Sequence, residues 1–97
     1  MKSEQASNEF YEKLKIQLYD TTSWPSVYLF KFIIVTDQKK TQRIERIFSG
    51  LKSKFNFSLS KNGRYTSISI NAMMKTPEDI IDKYKEVSKN IEGVISL

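Results

Sequence analysis

The sequence predicts an α+β fold of three helices and four strands, and three observations predict it. Thr76-Pro77-Glu78-Asp79 opens a helix: a capping hydroxyl, a proline in the first turn, then two acids at the positive end of the helix dipole. Phe55, Phe57 and Leu59 alternate with Asn56, Ser58 and Ser60, the period of two that marks a half-buried strand. Asn62-Gly63 follows, a pair that tolerates the positive φ of a type I′ turn, so the chain returns as a hairpin.

The other elements fall into place around these. Ser7 is read as the cap of a helix over 8–19, with Phe10, Tyr11, Leu14 and Leu18 on its apolar stripe. Pro25 cannot continue a helix and restricts Trp24 before it. Val27 to Val35 is rich in β-branched and aromatic residues and reads as the first strand. Thr36 or Asp37 caps the next helix, whose stripe is Ile44, Ile47, Phe48 and Leu51, with Gly50 at its end. Arg64 to Met73 is the return strand, with Ile68, Ile70 and Ala72 on one face and Tyr65, Ser67, Ser69 and Asn71 on the other. Ile80, Ile81, Tyr84, Val87 and Ile91 form the stripe of the last helix, and Gly93 releases the chain into a short strand, Val94 to Leu97.

A strand, helix, hairpin, helix and strand in that order form the ferredoxin-like βαββαβ sandwich. The expected sheet is antiparallel in the order 4-1-3-2, with both later helices on one face and an extra N-terminal helix. Residues 1–25 are then the helix and its linker, and 26–97 the ferredoxin-like domain. Phe30, Phe32, Ile34, Phe57, Leu59, Ile68 and Ile70 are expected to point to the helices.

Composition narrows the chemistry. The 97 residues suit one domain burying about 60–65% of its unfolded surface. With no cysteine and no histidine, disulfides, thiolate nucleophiles, zinc-thiolate sites and a Ser-His-Asp triad are excluded. Asp79, Asp82 and Glu86 alternate with Lys83, Lys85 and Lys89, the pattern of a solvated helix face. The expectation is a non-enzymatic protein that needs no cofactor or metal. No apolar run reaches the roughly 20 residues of a membrane helix, and the first residues lack a signal-peptide core. The expected location is the cytoplasm, with no membrane partner.

The second face of the sheet carries the candidate interaction surface. Leu29, Lys31 and Ile33 are expected there beside Tyr65, Ser67 and Ser69, with Lys61 and Arg64 in the adjoining hairpin. Apolar residues on an open sheet call for cover. The N-terminal helix folding back over the sheet would supply it, and so would a second copy or a protein partner. The net charge of +5 is uneven: residues 36–64 hold eight basic side chains against Asp37 and Glu45. Nucleic-acid binding by this basic third, with Tyr65 stacking a base, is therefore the alternative reading. Against it, Tyr65 is a single ring where such sheets use two or three.

Trp24-Pro25-Ser26-Val27-Tyr28-Leu29-Phe30-Lys31-Phe32 and Ser60-Lys61-Asn62-Gly63-Arg64-Tyr65-Thr66-Ser67-Ile68-Ser69-Ile70 resemble two segments of the YbeD-like bacterial proteins, a family of unknown function. The resemblance covers roughly residues 24–97. Ile34 stands where many members bring the chain to glycine, and the N-terminal helix is an extension. The resemblance implies a ferredoxin-like domain similar to the ligand-sensing ACT regulatory domains, in a bacterial cytoplasm, with no catalytic residues to carry over. The sequence lacks the glycine-rich loop that ACT ligand sites tend to use.

Overall fold

Val27 to Val35 forms the spine of the molecule. A computed structural model describes residues 4–97, with side chains from residue 8 onward. In it, β1 (Ser26–Val35) pairs with β3 (Tyr65–Met74) over its whole length, from Ser26 opposite Met74 to Val35 opposite Tyr65. On the far side of β3 lies β2 (Lys54–Leu59), and on the far side of β1 the short β4 (Ile95–Ser96). Every pairing is antiparallel, and the order β2-β3-β1-β4 is the expected 4-1-3-2 read from the other edge.

The period of two divides the sheet into two unlike faces. Phe30, Phe32 and Ile34 of β1, with Ile68, Ile70, Ala72 and Met74 of β3, are buried on one of them. That face is covered by α2 (Gln38–Ile47) and α3 (Pro77–Asn90). α2 brings Ile44 and the adjoining Phe48, and α3 brings Ile80, Tyr84 and Val87, with Ile91 just beyond. Phe30 and Phe32 stack 6.2 Å apart and both meet Phe48.

The helix starts follow the expected chemistry. The Asp37 carboxylate accepts from the backbone N–H of Lys39 and of Lys40, and the Thr76 hydroxyl from that of Asp79. The helix ends are tied reciprocally. Lys40 Nζ and Arg43 Nη1 on α2 donate to the carbonyls of Glu92 and Asn90 beyond and at the end of α3, at 3.0 and 2.9 Å. Lys83 Nζ on α3 donates to the Ile47 carbonyl closing α2, at 2.7 Å. Cations here satisfy carbonyls that the helices themselves leave unpaired.

Four expectations are corrected. The first helix, α1, spans Glu4–Thr21, so Ser7 lies inside it rather than capping it. Its packed stripe is the half-buried Tyr11, Leu14 and Leu18, with the spacing i, i+3, i+7, and Phe10 falls off that stripe and is exposed. Phe57 and Leu59 do share the helix-side face, being opposite Ile68 and Thr66, yet they are 43% and 64% exposed. They sit on an edge strand, and no helix covers them. The hairpin is not a two-residue type I′ turn: Asn62 does not take positive φ, and Gly63 alone does, at +72°. Gly63 N–H donates to the Ser60 carbonyl, while the Asn62 side-chain oxygen accepts from Arg64 N–H. That side-chain bond holds Asn62 in an Asx-turn, and the connection between the strands takes five residues, Ser60 to Arg64.

Candidate functional site

α1 does not cover the open face of the sheet. It packs beside α3, on the helix side, with Tyr11, Leu14 and Leu18 against the core. Tyr19 at its end hydrogen-bonds Glu78 at the start of α3, and Lys85 of α3 lies 5.5 Å from the centre of the Tyr11 ring. Trp24 Nε1–H donates to the Leu18 carbonyl and fixes the descent from α1 into β1. Of the covers open to that face, the N-terminal helix is not the one used, since it packs on the helix side. Its stripe is spent on α3 and the edge of the core.

The bare face is assembled by register. Leu29 stands opposite Asn71, Lys31 opposite Ser69, Ile33 opposite Ser67 and Val35 opposite Tyr65. Directly opposed residues share a face, so the proposed Leu29, Lys31, Ile33, Tyr65, Ser67 and Ser69 do come together. Lys61 and Arg64 sit in the exposed hairpin loop at one end. Arg64 reaches the sheet, its guanidinium carbon 5.7 Å from the centre of the Tyr65 ring. The Lys61 side chain is exposed.

The same alternation adds residues that sequence reasoning passed over. Val27 and Met73 oppose each other at one end, and Ile95 stands opposite Ile33, all exposed. Val27, Val35 and Met73 were readable from the period of two. Ile95 was not, because a two-residue strand shows no periodicity. Strand residues facing this side include Lys31 and Lys54 and no carboxylate. The result is an apolar band with cations within and beside it.

The basic third of the chain does not gather on this face. Lys40 and Arg43 turn to the end of α3, in the helix layer on the other side of the sheet from Tyr65. Among the described residues Tyr65 is also the single aromatic ring on the open face.

A second concavity lies at the β4 edge. It encloses about 740 Å³ between α1, α3 and the end of β1, with Phe10, Tyr11, Leu14, Tyr28, Tyr84 and Leu97 among its walls. Tyr28 and Tyr84 meet there through their hydroxyls, 2.9 Å apart. Burial, followed by the bond to Tyr28, pushes the Tyr84 phenol well above its ordinary value. At the other end of α1, the bond between Tyr19 and Glu78 raises the tyrosine and lowers the carboxyl. Both groups are solvent-exposed, and the pair reads as a tie between helices.

Among the described residues, no three His, Cys, Asp or Glu side chains form a group that could hold a metal. No described helix is long and apolar enough to cross a membrane. Comparison with protein-family models, with curated proteins and with solved structures finds no match.

Proposed function

We propose that the chain is a small, non-enzymatic regulatory or interaction domain whose open sheet face binds another protein. One observation carries this reading: Leu29, Ile33, Val35, Tyr65, Met73 and Ile95 form an apolar band, crossed at its middle by Lys31 and Ser69, that α1 leaves bare. An apolar band of this kind is the usual mark of an interaction surface. Lys31 and Lys54, with no carboxylate on the strands beside them, favour a partner surface combining apolar and acidic side chains. Two copies meeting face to face would bring like charges together, so a different protein is the better fit.

The strand and helix order of residues 26–97 supports a ferredoxin-like, ACT-like domain. Membership of the YbeD-like family, with a place in the bacterial cytoplasm, rests on the two sequence segments from Trp24 and from Ser60. Such a fold by itself assigns no activity.

The test is affinity capture from the native lysate, with nuclease present, using the wild type, Ile33→Glu and Arg46→Glu. The expected result is an acidic partner retained by the wild type and by Arg46→Glu and lost with Ile33→Glu. Capture that is indifferent to Ile33→Glu, or recovery of RNA whose loss on digestion releases the other proteins, would sink the reading.

A further inference from the structure

β2 has one paired side and one open side. Ser60 N–H donates to the Tyr65 carbonyl at 2.8 Å, so the even-numbered residues of this strand turn their backbone groups toward β3. The odd-numbered ones, Phe55, Phe57 and Leu59, turn theirs outward, and among the described residues no strand stands opposite them. Their side chains lie on the helix side, opposite Ile70, Ile68 and Thr66. Phe55 packs partly against the core, while Phe57 and Leu59 are exposed. Open backbone groups and uncovered apolar side chains thus belong to the same three residues.

Natural sheets blunt such an edge with charge, proline or a bulge. From Phe55 to Ser60 this strand has no charged residue and no proline, and its ladder with β3 runs unbroken from Lys54 to Leu59. Lys54, at its start, faces the open side of the sheet with Asn71. The first and last elements, α1 and β4, lie at the other edge of the sheet, where they wall the groove of about 740 Å³.

We propose that β2 pairs antiparallel with β2 of a second copy, joining two four-stranded sheets into one about a two-fold axis. Outward groups must meet outward groups, so odd residues oppose odd residues. With Phe57 opposite itself on the axis, Phe55 falls opposite Leu59 of the other copy. A shift of two residues either way sets Leu59 against Ser53 or Phe55 against Lys61, so this register alone opposes apolar side chains throughout. On the open face Asn56 meets Ser58, and the two Lys54 stand at opposite ends of the seam, roughly 20 Å apart at strand spacing. A strand complementary to itself in hydrogen bonding, side chains and charge calls for a second copy rather than a foreign peptide. The pairing is independent of the sheet-face reading, since both open faces stay bare on one side of the joined sheet.

The test is sedimentation of the full chain beside two variants. Phe57→Lys sets like charges against each other on the axis, and Ile33→Glu alters the open face away from the seam. The wild type and Ile33→Glu should be dimeric at about 1 mM, and Phe57→Lys should raise the dissociation constant at least about tenfold. Amide exchange supplies a second reading. In the wild-type dimer the Phe55, Phe57 and Leu59 amides should be as protected as those of Asn56 and Ser58. In Phe57→Lys the Phe55 and Leu59 amides should exchange quickly, while Asn56 and Ser58 stay protected and show that β2 still pairs with β3. A wild type that is monomeric at about 1 mM would overturn the proposal. So would a dimer whose outward amides exchange quickly, or one broken by Ile33→Glu and untouched by Phe57→Lys.

Discussion

The hydroxyl of Tyr28 on β1 lies 2.9 Å from that of Tyr84 on α3, and the two rings meet edge to face. The pair stitches the first strand to the last helix at the wall of the groove, where packing alone would leave two phenols half-satisfied. Tyr84→Phe removes one hydroxyl and leaves Tyr28 partly accessible to water. The expected cost is about 0.5–1 kcal/mol, at the lower end for a hydrogen bond of this kind, read from the urea midpoint.

The same pair sets an alkaline limit. The folded state holds Tyr84 protonated above the value of about 10 at which an unfolded tyrosine ionises. Above that pH the unfolded chain binds fewer protons than the folded one, so stability falls as pH rises. Below it Tyr84 contributes no pH dependence. Urea melts repeated upward from neutral pH should show the decline beginning near pH 10 in the wild type, and a shallower decline in Tyr84→Phe. Parallel curves for the two proteins would contradict the assignment.

Adjacent residues on β1 should respond very unequally to truncation. Phe30 is fully buried against Phe48 and Tyr84, and Phe30→Ala should cost about 3–5 kcal/mol. Leu29→Ala, one residue earlier on the exposed face, should cost less than about 1 kcal/mol. Chemical denaturation of both variants checks the alternation directly.

Gly63 carries the positive φ of the hairpin loop in open space, with nothing within 4 Å of where a Cβ would be. Gly63→Ala should therefore lose about 1 kcal/mol through backbone strain alone. Asn62→Asp keeps the oxygen that accepts from Arg64 N–H and should be nearly neutral. Thermal melts of the two variants check both values.

Thr76→Ala should destabilise α3 by about 1 kcal/mol, since its hydroxyl satisfies the Asp79 N–H at the helix start. Thr76→Ser should restore most of that loss. Thermal melts of the two variants provide the check.

Local chemistry made much of this fold legible. Thr76 and Pro77 marked α3 to the residue, and the alternation through Phe30, Phe32, Ile68 and Ile70 divided the faces correctly. What escaped was tertiary. Nothing local to Phe57 or Leu59 says that no helix covers them on the edge strand. The stripe of α1 shows that it needs a partner, but not that α3 satisfies it in place of the sheet. Leu29, Ile33 and Tyr65 were readable as one face because register follows from alternation. The groove was not, since its walls are drawn from residues far apart in the sequence, Tyr11, Leu14, Tyr28 and Tyr84 among them.

The reciprocal bonds between α2 and α3 have a mechanical consequence for whatever meets the open face. Lys40 and Arg43 hold the end of α3 while Lys83 holds the end of α2, so neither helix can lift from the other without breaking both sets. The sheet is thereby mounted on a braced backing. If the face binds as proposed, its partner would meet a sheet held from behind, and less of the binding energy would go into ordering the domain.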